Sequence, residues 1–397
     1  MVVYVAGSGL VSSLGIGVAQ NYDALLAQRH GMHSFSGELD PLLEGFPVGR
    51  LPLSNSDLAE IADMSPHLPR AALLSFLAAR EAIGKAGLDI RKYRSGFISS
   101  TSVGGIDLTE KFFFSYGKNK SGGNLNKIVN HECGRVTNLV AEKIEANTYV
   151  STISTACSSS ANSIILAARL IKERRLDVAI AGGADSLTAF TLNGFNSLLL
   201  LDPDLCIPFD ARRNGLNLGE GAGYVLLVSE RLVNAGIVSP VAILSGYANA
   251  CDAFHQTAMS PEGKGPFLSM SGALRMADIE PSGINYINAH GTATLNNDSS
   301  EGNAVCRLFK NNIPALSSTK SYTGHTLGAS GGIEAVFSIL SLTNDVAFPN
   351  LRFSEPISES GLIPITEVQH FPINNVLSNS FGFGGNCSSL VFSKILS

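Results

Sequence analysis

The sequence predicts an α/β fold whose sheets are covered on both faces. Three observations carry this. Short, continuous apolar runs of β type recur along the chain. Helical patterns lie between several of them. Hydrophobic residues make up 45% of the 397, charged residues only 15%. Strands buried on both faces read as unbroken apolar runs rather than alternating ones, and strands alternating with helices give layered α/β architectures. The composition suits a large core plus a subunit interface, not a disordered or fibrous chain.

In chain order the strand-like runs are MVVYVAG, SGFISS, DVAIAGG, GYVLLV, PVAILSGYA, INYINAHG, VLSNSF and SLVFSKIL. Helical patterns run from Arg70 to Ala86 and from Ser159 to Arg174. The first run lacks a basic leader and is broken by glycines, so it reads as strand and loop, not signal peptide. No apolar run approaches the roughly 18 residues of a spanning helix. A net charge of −5 gives no case for nucleic acid or an anionic membrane. Six scattered cysteines without a CxxC signal neither zinc nor a redox pair. They are expected as free thiols in a reducing cytoplasm.

An internal echo is present. VYVAGSGLVSSLG resembles VAILSGYANACDA, and STACSSSANSIILAARL resembles HTLGASGGIEAVFSILSL in layout. Two related halves, 1–235 and 236–397, are expected from it, although β–loop–helix units also look alike without duplication.

Cys157 stands among small residues just before the apolar helical pattern. Free cysteines are mostly inert packing residues, and Cys133, Cys206, Cys251 and Cys306 are read that way. Cys157 is different: unpaired N–H groups and the dipole at a helix N-terminus favour a thiolate and lower its pKa. A nucleophile still needs partners. His290, after INYINA, and His325, in KSYTGHTLGASGG, both occupy small-residue loops after strand-like runs. Such loops collect catalytic groups in α/β folds. Lys320 is near, with Asp298, Glu301 and Glu334 as candidate carboxylate partners, because a buried ammonium requires one. SNSFGFGGNC supplies a glycine loop whose backbone N–H groups can approach a substrate. It is not a phosphate loop, since no GK[ST] follows. A thiol, two histidines and a donor loop exceed what a hydrolase needs. They suit an enolate formed by decarboxylation beside a thioester held on the cysteine.

TACSSS, NAHGTATLNND, KSYTGHTLGASGG and SNSFGFGGN resemble, in order, the signatures of β-ketoacyl-acyl-carrier-protein synthases, and PFDARRNGLNLGEGAGYVLL resembles a further family block. The elongating type with a Cys-His-His set is the most similar. His325 argues against the initiating Cys-His-Asn type. Cys387 invites comparison with the second cysteine of thiolases, but its GGNC setting does not favour that. The resemblance implies a thiolase-like fold, with two similar halves in αβαβα layers, usually dimeric.

It also implies roles. Cys157 carries the acyl group, and the N–H groups of Cys157 and Phe383 form an oxyanion hole. His290 and His325 stabilise the enolate. Lys320, paired with Glu301, organises the site, while Asp298 and Glu334 support the loops. Thr292 and Thr294 touch the pantetheine arm, and Thr109 and Phe195 lie near the acyl pocket and its gate. No metal or redox cofactor is implied; phosphopantetheine arrives on acyl carrier protein, together with the malonyl and acyl substrates. Since carrier proteins are acidic, Arg70, Lys118, Lys120 and Lys127 are candidate docking residues. Departures at Ser160, Ile207, Asn297-Asp298 and Asn386-Cys387 suggest a divergent branch, such as a secondary-metabolite, polyketide or aryl-polyene synthase, whose active member can pair with a cysteine-less chain-length subunit. A non-decarboxylating acyl-CoA acyltransferase of thiolase type, and the chain-length subunit itself, are the competing readings.

Overall fold

The computed structural model describes residues 1–35, 44–120 and 123–395. Ten strands of the main sheet are β1 (Val3–Ser12), β2 (Ser95–Ser100), β3 (Tyr149–Ile153), β4 (Val178–Asp185), β5 (Gly221–Ser229), β6 (Ala242–Cys251), β7 (Tyr286–Asn288), β8 (Ala315–Ser317), β9 (Asn375–Gly382) and β10 (Asn386–Ser393). Each predicted run contributes one of them; Leu396, the end of the last run, lies outside the described residues. Their order across the sheet is β8-β7-β9-β10-β6-β1-β5-β4-β2-β3.

Read outward from the centre, the first five strands are ordered first, fifth, fourth, second, third. The last five repeat that order. Directions repeat too: the first–fifth and fifth–fourth pairs are antiparallel, and the two outer pairs parallel. The sets join where β1 meets β6 at Tyr4↔Ile243 and Val5↔Ala242. The first pair of echoing segments forms β1 and β6. The second pair forms the loop and helix after the third strand of each set.

Five helices build the layers: α1 (Arg70–Ala86), α2 (Ser159–Lys172), α3 (Lys264–Ala277), α4 (Leu295–Phe309) and α5 (Ser330–Asn344). Helix α1 covers β1, β4 and β5; α3 covers β6 and β10 on the other side. Helices α2 and α5 pack on each other and touch strands of both sets, so they form the middle layer. The result is αβαβα, the thiolase-like fold. Close contact explains several glycines: a Cβ on Gly9 would lie 1.9 Å from the Ala78 carbonyl of α1. Helix α1 is apolar on most of its circumference and ends at Gly87 in the left-handed region, φ 62°. Helix α5 is buried over nearly its whole length, as a helix covered by strands of both sets must be. Among the described residues no helix is long and apolar enough to cross a membrane.

Candidate active site

The third strands, β3 and β8, lead into loops that bring the chemistry to the middle of the fold. After β3 the chain turns sharply through Ala156, held at φ 53°. Strain of this kind in a non-glycine residue persists only where surroundings impose it, and it clusters at functional sites. Cys157 follows, buried, just before α2. Ser159 fixes the turn by accepting from Thr155 N–H at 2.8 Å and donating to the Ala156 carbonyl at 2.5 Å.

Cys157, His290 and His325 come together: one donor atom of each lies within 4.8 Å of the others. The two imidazoles meet edge to face, with centroids 5.4 Å apart. Lys320 Nζ donates to the His290 carbonyl at 2.6 Å, approaches His290 Nδ1 at 3.2 Å and forms a close ion pair with Glu334. An ammonium has three N–H groups and no lone pair, so His290 Nδ1 is an acceptor. Leu327 N–H donates to His325 Nδ1 at 3.1 Å. Both neutral rings therefore carry their hydrogen on Nε2, the nitrogen left free for the thiol side.

That assignment also tests the trio as a metal site. A ligating histidine offers a lone pair and turns its other N–H toward an acceptor. Here both Nδ1 atoms face donors, and a lysine ammonium adds like charge. The set does not fit a resident divalent ion.

Two electrostatic expectations need revision. Burial pushes the Cys157 thiol up to about 11, against the pull of Lys320 and of the Phe383 and Cys157 N–H groups that face the sulfur. The helix-end effect is outweighed because Sγ is removed from water; the resting group is a neutral thiol. Lys320 pairs with Glu334, not Glu301. The Glu301 carboxylate is occupied: it accepts from His290 N–H at 2.9 Å, Gly291 N–H at 2.8 Å and Asn379 Nδ2 at 3.1 Å. Burial lifts it to about 7. Asp298 ties the same loop from below, accepting from Ala293 N–H and, at 2.7 Å, from Phe209 N–H.

His290 and His325 are both held well below 6.5, by burial first and the Lys320 charge next. As pH falls through 6.5 the unfolded chain takes up protons that these rings refuse, so their contribution to stability is lost. Glu301, raised by burial, acts in the opposite sense between about 7 and its unfolded value. The histidine effect is isolated by difference. Relative to wild type, a His290→Asn/His325→Asn variant gains stability from pH 6.5 to 5, by up to about 1.4 kcal/mol per pH unit per ring. Urea unfolding at the two pH values measures it.

Two cavities meet at Cys157. One, of about 220 Å³, is lined by His290, His325, Thr292, Thr294, Leu199 and Leu295, among others. The other, of about 420 Å³ and mostly apolar, is lined by Ser102, Val103, Phe190, Leu198 and Leu327. Phe195 and Phe383 line both and stack on each other, centroids 5.7 Å apart. Thr292 and Thr294 share a hydroxyl hydrogen bond of 2.9 Å.

Other expectations fall away from the site. Thr109 lines neither cavity; its hydroxyl lies 3.0 Å from His131 Nδ1. Arg70 is no docking residue. It is buried, with its guanidinium forked onto Glu220 at 2.9 and 2.7 Å. Lys118 and Lys120 are exposed and Lys127 half-buried. Cys387 lines neither cavity; it packs in a small apolar cluster behind Met259 and Phe381, which line the first. The sequence reading missed Leu327 and Asp185, which hold the His325 loop. The positive φ of Leu327, 52°, has no signature in the residues around it, but the acid ending AIAGGAD was visible.

Comparison with known proteins agrees. The family descriptions "Beta-ketoacyl synthase, N-terminal domain" and "Beta-ketoacyl synthase, C-terminal domain" match residues 2–232 and 241–354. A 3-oxoacyl-[acyl-carrier-protein] synthase 2 of Staphylococcus aureus is 32% identical, over 99% of this chain and 98% of its own. A ketosynthase solved in complex with its chain length factor, from Xenorhabdus doucetiae, superposes with a TM-score of 0.87 at 32% identity, covering 99% of this chain and 98% of that one. A β-ketoacyl synthase from Burkholderia phymatum gives 0.89 at 27% identity over 100% of both. The Cys-His-His trio, the fold around it and full-length similarity together make this chain a member of the β-ketoacyl synthase family.

Proposed function

We propose that the chain is a β-ketoacyl-acyl-carrier-protein synthase of the elongating type, catalysing decarboxylative Claisen condensation. The single observation that carries this is the pair of neutral imidazoles with Nε2–H groups left for one oxyanion beside a buried thiol. In the first step the Cys157 sulfur attacks an acyl thioester on the carrier. The carrier thiol leaves with the proton that Cys157 gives up, and the N–H groups of Cys157 and Phe383 hold the tetrahedral oxyanion. The acyl chain lies in the apolar cavity beyond Phe195. A malonyl thioester then enters by Thr292 and Thr294, with Leu199 and Leu295 at the mouth. Loss of carbon dioxide leaves an enolate whose oxygen accepts from His290 and His325. Its carbon attacks the acyl carbonyl, the C–S bond to Cys157 breaks, and the departing thiolate takes a proton from solvent water. Lys320 keeps His290 neutral and in the correct tautomer.

Carrier proteins are the partners, with Lys118, Lys120 and Lys127 as candidate contacts. The repeated strand order supports reading the chain as halves 1–235 and 236–397. A second chain of the same fold pairs along β3. Among the described residues this strand ends the strand order of the main sheet and exposes Val150, and the helix Ile106–Lys118 exposes Phe113 by 70% and Phe114 by 52%. Exposed edges and large apolar patches call for a cover. The similarity to a ketosynthase bound to a chain length factor favours a polyketide or aryl-polyene branch with a heterodimeric partner.

The assay is direct. Acyl carrier and malonyl carrier incubated with the enzyme release carbon dioxide and β-ketoacyl carrier in equal amounts. Acetyl thioester in place of malonyl gives none; product from it would favour the thiolase-type reading. Phe195→Ala joins the two cavities and lowers discrimination between long and short acyl carriers by roughly tenfold, read as a ratio of kcat/KM values.

A further inference from the structure

We propose that Asp185 is the positioning residue for His325, acting through the backbone of Leu327 and Gly328. This rests on the reading of His325 as a donor to the enolate. Asp185 ends β4, is fully buried and lines neither cavity. Its Oδ1 accepts from Thr101 Oγ1 at 2.6 Å and from Ser102 N–H at 2.8 Å. Its Oδ2 accepts from Gly328 N–H at 2.8 Å. Ser102 Oγ accepts from the same Gly328 N–H at 3.0 Å. The clasp joins the first five strands to the loop of the last five. It is tight: a Cβ on Gly328 would fall 2.9 Å from both Asp185 Oδ2 and Ser102 Oγ.

The consequence lies one residue earlier. Leu327 stands at φ 52°, a conformation that costs a leucine about 1 kcal/mol or more. In that conformation its N–H reaches His325 Nδ1, at 3.1 Å. The His325 backbone is held independently, its N–H on the Asn217 carbonyl and its carbonyl on Gly219 N–H. What Asp185 restrains is therefore the amide that orients the ring. With the Gly328 N–H released, Leu327 relaxes to negative φ and its N–H turns away; Nδ1 is left with Ser330 Oγ, at 3.0 Å, a hydroxyl that can donate or accept, so the Nε2–H tautomer of His325 is no longer imposed. The Leu327 side chain and Ser102 also form the wall of the apolar cavity, so the clasp ties the acyl side to the decarboxylating side.

The test is Asp185→Asn in the full chain, with half-reactions followed separately. Asparagine keeps the shape but turns an N–H toward one of the donors. Acyl transfer to Cys157, read by intact mass, stays within about threefold of wild type. Release of carbon dioxide from malonyl carrier falls by about 10²-fold, the effect of losing one oxyanion donor. The ¹⁵N signals of His325 leave the Nε2–H pattern. A structural defect alone would lower both half-reactions together, and that result, or an unchanged decarboxylation rate, overturns the proposal. Should the asparagine variant not fold, Thr101→Val, at a residue lining neither cavity, removes the hydroxyl that donates to Asp185 Oδ1 and gives the same split at several-fold. A His325→Ala control that still decarboxylates at the wild-type rate overturns the underlying reading of His325 instead.

Discussion

Cys157→Gln abolishes chain extension while leaving release of carbon dioxide from malonyl carrier. Condensation falls by roughly three orders of magnitude or more, the usual consequence of removing a nucleophile. The two activities separate because they use different groups. Extension requires the Sγ thioester. Decarboxylation requires His290 and His325, whose Nε2–H groups stay in place through Lys320 and Leu327. Glutamine is long enough to fill the space of the thiol, so the turn at Ala156 is not emptied. The measurement is parallel assay of labelled carbon dioxide and of β-ketoacyl carrier. Extension by this variant would remove Cys157 from the mechanism; loss of both activities would mean that the thiol itself is needed for decarboxylation.

Lys320→Met has the largest effect on stability. Lys320 and Glu334 are both buried, and Glu334 Oε2 has no partner among the described residues. Burial already pushes the Glu334 carboxyl up, and only the Lys320 ammonium opposes it appreciably. Removing one member of a buried pair leaves an uncompensated charge and costs about 3–5 kcal/mol. It also takes the donor from His290 Nδ1, freeing the tautomer, so condensation falls by about 10²-fold or more. The double variant Lys320→Met/Glu334→Leu separates these effects. It regains most of the stability in urea unfolding, since two apolar side chains replace the pair, yet stays as inactive as the single variant. If activity returned with stability, Lys320 would be a structural residue only.

The fold and the reacting trio were legible in the sequence for local reasons. A thiol before a nearly all-apolar helix, and histidines in glycine-rich loops after short strands, stand out in a chain with few charges. Helix α1 was readable residue for residue because its apolar pattern runs unbroken to Gly87. What stayed hidden depends on approach between distant segments. Glu301 and Glu334 are equivalent choices for Lys320 until α5 is laid in the middle layer, one turn of it facing the ammonium, while α4 turns Glu301 to the His290 loop. The high pKa of Cys157 arises from burial, which the position at a helix end does not reveal. Arg70 looked like a surface cation, and only the fold brings Glu220 to it across a sequence separation of 150. Asp185 shares this difficulty, since the donors that define it lie 84 and 143 positions away.

The central claim is that Cys157 holds the growing chain and gives it up to a carbanion made in the same site. Intact-mass spectrometry during sequential addition tests it most directly. The enzyme is first mixed with a panel of acyl carriers, then with malonyl carrier. The account predicts a mass increase equal to one acyl group, mapped to Cys157, that disappears as the β-ketoacyl carrier two carbons longer appears. An adduct on another residue, or product formed while the Cys157 adduct persists unchanged, would contradict it.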